Sequence, residues 1–272
     1  MFPIITLPSI LPQKKIFFAS DFHLGRAETN TRLHERKIID FLDTISNDAQ
    51  AIFLLGDIFD FWFEYKYFIP KGFVRFQNKL ASLSEQKKID IYFCRGNHDS
   101  WIKDYFEQEL GIKTLNTNTT LIIGQTKILI GHGDDFILNK KYSFLKKYIY
   151  QGRLVNWLAE KLPPDFLFNF ATKLNVKKLN KSFLSSKQRL LKDELFHFCK
   201  NQIEPLRQHD YYVLGHLHLP YEQKINNKSH YYNTGDWLTH FSYVMFDGIK
   251  MTLMYYKSDI STPKMYFNEF KG

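Results

Sequence analysis

Short apolar runs, each closed by small and polar residues, set the rhythm of this chain. Runs at 16–20, 51–55, 89–94, 127–130 and 211–214 are almost continuously hydrophobic, as strands buried on both faces are. Between them the spacing turns helical. Leu33, Ile38, Ile39, Leu42 and Ile45 lay a stripe along 29–47, and a second stripe covers 74–83. A shorter helix is expected over 101–110, then a hairpin of 114–123 and 126–130 turning at Gly124-Gln125. A last hairpin, 241–246 with 250–256, is joined by Asp247-Gly248, a pair suited to a type I′ turn. Strand alternating with helix predicts an α/β sandwich.

The rhythm stops between 136 and 205. No strand pattern is visible there, and helices can be drawn over 142–162, ended by Pro163-Pro164, and within 166–199. The expected organisation is a core of 1–135 and 206–272 with a helical insertion at 136–205. Phe144, Leu145, Tyr148, Ile149, Leu154, Trp157 and Leu158 stand beside Lys146, Lys147 and Arg153. Such a mixture fits an amphipathic hairpin packed on the sheet, or a cap with an apolar lining and a basic rim. The aromatic stretch 59–73 reads as core, with the alternative that part of it walls an apolar cleft.

Composition narrows the class. With 272 residues, 44% of them hydrophobic, the chain can bury a substantial core, which excludes a disordered protein. The net charge of +9 is concentrated in lysines between 140 and 200. It is compatible with nucleic acid, an anionic membrane surface or a phosphorylated small molecule, and does not choose among them. Two cysteines, Cys94 and Cys199, cannot build a disulfide framework, so a reducing cytoplasmic setting is expected. Residues 1–13, broken by Pro3, Pro8 and Pro12, do not read as a signal peptide, and no stretch is long enough to span a bilayer.

The chemistry lies where the apolar runs end. Asp21 and His23 follow the first, Asp57 the second, Asn97, His98 and Asp99 the third, His132 the fourth, and His216 and His218 the fifth. One Gly-Asn-His-Asp is no more than a turn. Five such endings place ligands at the carboxyl ends of strands, where open α/β sheets bind them. Asp, His and Asn without a thiolate suit manganese, iron or zinc and argue against a structural zinc knot. Even seven of these nine groups exceed the needs of one ion. They suit two ions about 3.5–4 Å apart sharing a carboxylate, for which Asp57 is the candidate.

Taken in order, Asp21-Phe22-His23, Gly56-Asp57, Gly96-Asn97-His98-Asp99, Gly131-His132-Gly133 and Gly215-His216-Leu217-His218 resemble the motifs of the calcineurin-like metallophosphoesterases. The resemblance implies an αββα sandwich in which the helical insertion acts as a lid. It also implies Asp21, His23, Asp57 and His218 around one metal, and Asp57, Asn97, His132 and His216 around the other. Two divalent ions are expected, manganese first, with iron or zinc as alternatives. His98 is placed at phosphorus, stabilising charge or protonating the leaving oxygen, with Asp99 as its orienting partner.

Gly56-Asp57-Ile58-Phe59-Asp60 with Trp62, His132-Gly133-Asp134, the insertion, and Gly215 to Pro220 are most similar to the UDP-2,3-diacylglucosamine pyrophosphatases of lipid A synthesis. Many of these carry arginine where this chain has His98. That resemblance implies attack of metal-bound hydroxide on a pyrophosphate, giving UMP and 2,3-diacylglucosamine 1-phosphate. Lys177, Lys178 and Lys181 are candidate substrate contacts, and the anionic cytoplasmic face of the inner membrane is the expected location of a peripheral protein. No obligate protein partner is expected. The competing readings are a nuclease of the same superfamily, for which the basic charge speaks, and a non-enzymatic scaffold, which has no need of intact metal ligands.

Overall fold

The computed structural model describes residues 2–26, 29–116, 118–136, 153–176 and 194–257. Two six-stranded sheets face each other. One has the order β1 (Ile4–Leu7), β6 (Thr119–Ile123), β7 (Thr126–Gly131), β8 (Tyr211–Leu214), β10 (His230–Asn233), β9 (Tyr221–Lys224). The other runs β12 (Met251–Tyr255), β11 (Ser242–Phe246), β2 (Lys15–Ala19), β3 (Ala49–Leu55), β4 (Asp90–Cys94), β5 (Lys113–Leu115). Helices α1 (Thr31–Ile45), α2 (Val74–Glu85) and α3 (Tyr105–Leu110) follow β2, β3 and β4.

The pleat explains why the strands are hydrophobic throughout. Along β2, Ile16 and Phe18 point to the opposite sheet, whereas Phe17 and Ala19 join Phe41, Leu42 and Leu80 under the helices. Between the sheets the rings of Phe18, Phe53 and Tyr92 stack at 5.2 and 4.6 Å. The outer face of the other sheet, with Leu129, Tyr212 and Leu214, is covered by Phe136 and by Leu195, Phe196, Cys199 and Ile203. These last residues come from a helical stretch at 194–198 and the π-turn Cys199–Ile203.

The sequence expectations fail at three places. The run 114–123 is not one strand. β5 adds in parallel to β4, and β6 pairs with β1 and β7 in the opposite sheet, so the chain has changed sheets between Leu115 and Thr119. Neither the edge strand β1 nor the β9–β10 pair was expected. The helix expected over 101–110 begins only at Tyr105, because Trp101 bridges to Phe63. Both hairpin turns stand, with Gly124 at φ +59° and Gly248 at φ +96°. Of the insertion, α4 (Arg153–Ala159) and α5 (Pro164–Val176) lie within the described residues. Lys140, Lys141, Lys146, Lys147, Lys177, Lys178 and Lys181 lie outside them.

Candidate metal centre

Strand ends from both sheets meet at one seam. β2, β3 and β4 deliver Asp21, His23, Asp57 and Asn97, while β7 and β8 deliver His132, His216 and His218. To turn the side chains inward the backbone takes a conformation that L-residues seldom adopt. Asp21, His23, Asp57, His216 and His218 all have φ between 47° and 71°. Such strain persists only where the surroundings hold it. Here Asp21 N–H donates to Gly56 O (3.0 Å), His23 N–H to Asp57 O (3.0 Å) and Gly215 N–H to His132 O (3.1 Å). The packing is close enough that a β-carbon on Gly96 would run into the Asp57 carboxylate, and one on Gly215 into Ser20 and Asp21.

The donors fall into two neighbouring groups. In the first, Asp21 Oδ1 lies 3.3 Å from His218 Nε2 and 3.8 Å from His23 Nε2, and the two imidazole nitrogens are 3.3 Å apart. In the second, Asp57 Oδ2 lies 3.3 Å from His132 Nε2, which is 3.1 Å from His216 Nδ1. Asp57 Oδ2 is also 3.8 Å from His23 Nε2, so it faces both groups, as a bridging carboxylate must. Asp21 Oδ1 and Asn97 Oδ1 are buried without a hydrogen-bond partner. Leaving an acceptor in that state costs about 1–3 kcal/mol, and a cation removes the cost. Nitrogen and oxygen donors facing one another in a buried pocket fit two divalent ions.

The outward-facing ring nitrogens explain which atoms face inward. His132 Nδ1–H donates to Leu55 O (2.9 Å), His23 Nδ1 lies 3.1 Å from Asp60 Oδ1, and His218 Nδ1 lies 3.5 Å from Asp236 Oδ2. Each contact fixes Nδ1 as the protonated nitrogen and leaves the Nε2 lone pair for a metal. Asp60 and Asp236 had no role in the sequence reading. Their only signals are an acid three residues after Asp57 and one in the run 231–237 behind the last pair of histidines.

Burial disfavours the Asp57 carboxylate, yet His132 and His98 hold its carboxyl well below the usual range. Burial likewise opposes a charged His23, but the surrounding Asp21, Asp60 and Asp57 carboxylates carry it up to about 10. Burial and the neighbouring His132 push His216 down to about 3. Protons thus occupy part of the cluster in the metal-free protein, and divalent ions compete with them.

His98 and Asp99 part company. The His98 ring packs against His23 with centroids 4.8 Å apart, and its Nδ1–H donates to Asp60 O (2.7 Å). Asp99 does not orient it. Its carboxylate is fully buried and accepts N–H from Gly96 (2.7 Å), Ile58 (2.7 Å) and Asp57 (3.3 Å), tying the Asp57 loop to the Asn97 loop. Burial and the Asp57 charge push the Asp99 carboxyl up to about 7, while the Gly96 and Ile58 N–H groups pull it back.

The sequence profile of the calcineurin-like phosphoesterases matches residues 14–220. The chain belongs to this family. With its buried His and Asp clusters, it is a metal-dependent phosphoesterase. Among curated relatives, a UDP-2,3-diacylglucosamine hydrolase of Porphyromonas gingivalis is 29% identical over 89% of this chain and 97% of its own length. One of Histophilus somni is 30% identical over 82% and 92%. A dimetal phosphatase structure from Danio rerio aligns over 91% of this chain and 100% of its own, with 10% identity and a TM-score of 0.43.

Beside the metal centre of this phosphoesterase sits the α4–α5 hairpin. Trp101 Nε1–H donates to Asn156 Oδ1 (2.8 Å), and the Phe61 ring meets Phe168 edge-on at 4.8 Å. Lys103 pairs with Glu160. The hairpin is therefore fastened to the segments that directly follow Asp60 and Asp99. The aromatic stretch 59–73 divides accordingly. Phe59, Trp62 and Phe63 are buried in the core, whereas Tyr67 and Phe68 are exposed.

Proposed function

We propose that this phosphoesterase hydrolyses the pyrophosphate bond of UDP-2,3-diacylglucosamine, releasing UMP and 2,3-diacylglucosamine 1-phosphate. The observation that carries the reading is the apolar hairpin beside the metal centre. Trp157, Leu158, Leu162, Phe166 and Phe170 of this hairpin are exposed, a grouping that soluble proteins keep for partners, lipids or ligands. A nucleotide-linked acylated sugar presents phosphates and hydrocarbon chains close together, and this surface offers a place for each. The names of the two curated relatives point to the same substrate.

Asp21, His23 and His218 would hold one ion and Asn97, His132 and His216 the other, with Asp57 shared. Two divalent ions supply Lewis acidity toward phosphoryl oxygens and an activated water. The remaining work belongs to the chain. His98, with Nδ1–H committed to Asp60 O, keeps Nε2 for the reacting phosphoryl group. Burial holds the His98 pKa below the ordinary imidazole value against the pull of Asp57 and Asp60. The protonated form, which delivers a proton to the leaving oxygen or steadies the developing charge, is therefore the minor one at neutral pH and a ready proton donor. The seam of the two sheets holds the donors in place before substrate arrives, so little reorganisation accompanies the reaction.

No helix among the described residues is long and apolar enough to cross a membrane. In our reading the exposed face of α4 and α5, with Lys161 nearby, rests on the anionic cytoplasmic face of the inner membrane, where each lysine contributes about 1 kcal/mol. Purified protein with Mn²⁺ is to be offered UDP-2,3-diacylglucosamine, a UDP-sugar without acyl chains, and duplex DNA. Release of UMP from the acylated substrate alone supports the assignment. Equal cleavage of the unacylated sugar, or preference for DNA, overturns it.

A further inference from the structure

We propose that Asp236 is a positioning residue that sets one half of the metal centre, the Asp21–His23–His218 half, and leaves the other half to different contacts. The proposal rests on the two-ion reading above. Asp236 lies outside the loops that carry the ligands, just beyond β10. That strand pairs in parallel with β8, which throws residues 233–237 across the ends of β8 and β2. There the segment acts as a clasp. Asn233 Nδ2–H donates to Gly215 O (2.6 Å), Thr234 N–H to Leu214 O (2.9 Å), and the Thr234 and Ser20 hydroxyls lie 2.6 Å apart.

The next two contacts reach metal ligands directly. Asp236 Oδ2 faces His218 Nδ1 across 3.5 Å, and Trp237 N–H donates to Asp21 O (3.1 Å). Adjacent residues thus touch two ligands of the same half. The clasp is itself held firmly. Asp236 Oδ1 accepts N–H from Thr239 and His240, both at 2.9 Å, and the Trp237 ring is fully buried 4.3 Å from the Phe41 ring. The other half is fixed elsewhere, with Leu55 O holding His132 and the His98 N–H holding Asp57 Oδ1 at 2.9 Å.

The bland alternative is that Asp236 only caps the turn at Thr239 and His240. Asp236→Asn separates the two roles, because the amide oxygen can still cap the turn while the anionic acceptor for His218 is gone. Outer-shell partners of this kind are worth about 10–100-fold in metal affinity. Mn²⁺ is titrated into the metal-free full chain, with stoichiometry read by calorimetry and spin-coupled Mn²⁺ pairs read by electron paramagnetic resonance. Wild type should bind two ions and show the coupled signal. Asp236→Asn should bind one ion at wild-type affinity and the second about 10–100-fold more weakly, replacing the coupled signal with that of an isolated ion.

Two ions held at wild-type affinity, or both weakened equally, would overturn the proposal. If wild type itself takes up fewer than two ions, the two-ion reading fails and this inference falls with it. Should thermal melting show that Asp236→Asn does not fold, Asp236→Ser is read by the same criteria, since a serine hydroxyl caps a turn well and cannot reach His218.

Discussion

Replacing Asp99 should damage the fold before it damages the chemistry. Its two oxygens accept two close backbone donors, Gly96 N–H on Oδ1 and Ile58 N–H on Oδ2, each at 2.7 Å, with Asp57 N–H at 3.3 Å behind them. In Asp99→Asn, whichever way the amide turns, its NH₂ faces one of the close donors. One buried N–H is then left unsatisfied, at a cost of about 1–3 kcal/mol. Asp99→Ala strands both, which puts its cost at about 2–6 kcal/mol. The urea midpoint of the metal-free protein measures this directly, and the two variants should fall in that order. Activity should decline with the folded fraction and with the accuracy of the Asp57 loop. If both variants keep the wild-type midpoint to within about 0.5 kcal/mol but lose turnover, Asp99 acts on the substrate, and the structural role argued here is wrong.

Asp57→Ala should leave a folded protein that binds neither ion normally and turns over nothing measurable, since Asp57 Oδ2 faces both donor groups. Turnover within a few-fold of wild type would rule out a shared carboxylate. His98→Ala should slow the chemical step by about 10²–10⁴ while metal content by mass spectrometry stays at the wild-type value. A matching fall in metal would make His98 part of the ligand scaffold, and His98→Arg tests whether this position alters substrate choice. Trp157→Ser, Phe166→Ser and Phe170→Ser should each reduce co-sedimentation with anionic vesicles by about tenfold and lower hydrolysis of the acylated substrate, while hydrolysis of a small soluble phosphodiester stays at the wild-type rate. Equal loss on both substrates would mean that the hairpin only supports the fold.

The ligand-bearing strand ends were legible because a strand buried on both faces writes itself as a continuous apolar run, and in this chain each such run breaks into Gly, Asp, Asn or His. What lies one shell out was not legible. Asp60 and Asp236 are single acids in turns, and only the fold reveals that one meets His23 and the other His218. Edge strands were missed for a similar reason. β9 reads Tyr-Glu-Gln-Lys, with three of its four residues exposed, so no hydrophobic alternation announces it. β1 lies between Pro3 and Pro8, and its pairing with β6 is non-local. The split of 114–123 turns on three polar residues, Asn116 to Asn118, which look like a kink in one strand until β5 and β6 are seen in opposite sheets.

The two halves of the centre do not follow the two sheets. Asp21 and His23 come from one sheet and their partner His218 from the other, and Asp57 is likewise matched across the seam by His132 and His216. Each half therefore closes only if the sheets hold a fixed separation and register. That duty falls to the inter-sheet core around Phe18, Phe53 and Tyr92, which is close-packed and so resists sliding. The substrate side of the centre also draws on both sheets. His98 and the rings that fasten the hairpin, Phe61 and Trp101, extend from the loops after β3 and β4 on one sheet, whereas the hairpin itself enters between β7 and β8 of the other. Changes on the exposed face of the hairpin can alter what is brought to the metals without touching a ligand, because the ligands named above all lie outside α4 and α5. The same separation predicts that a cavity cut at Phe53 would disturb both metal affinities together, whereas a change at Asp236 disturbs only one.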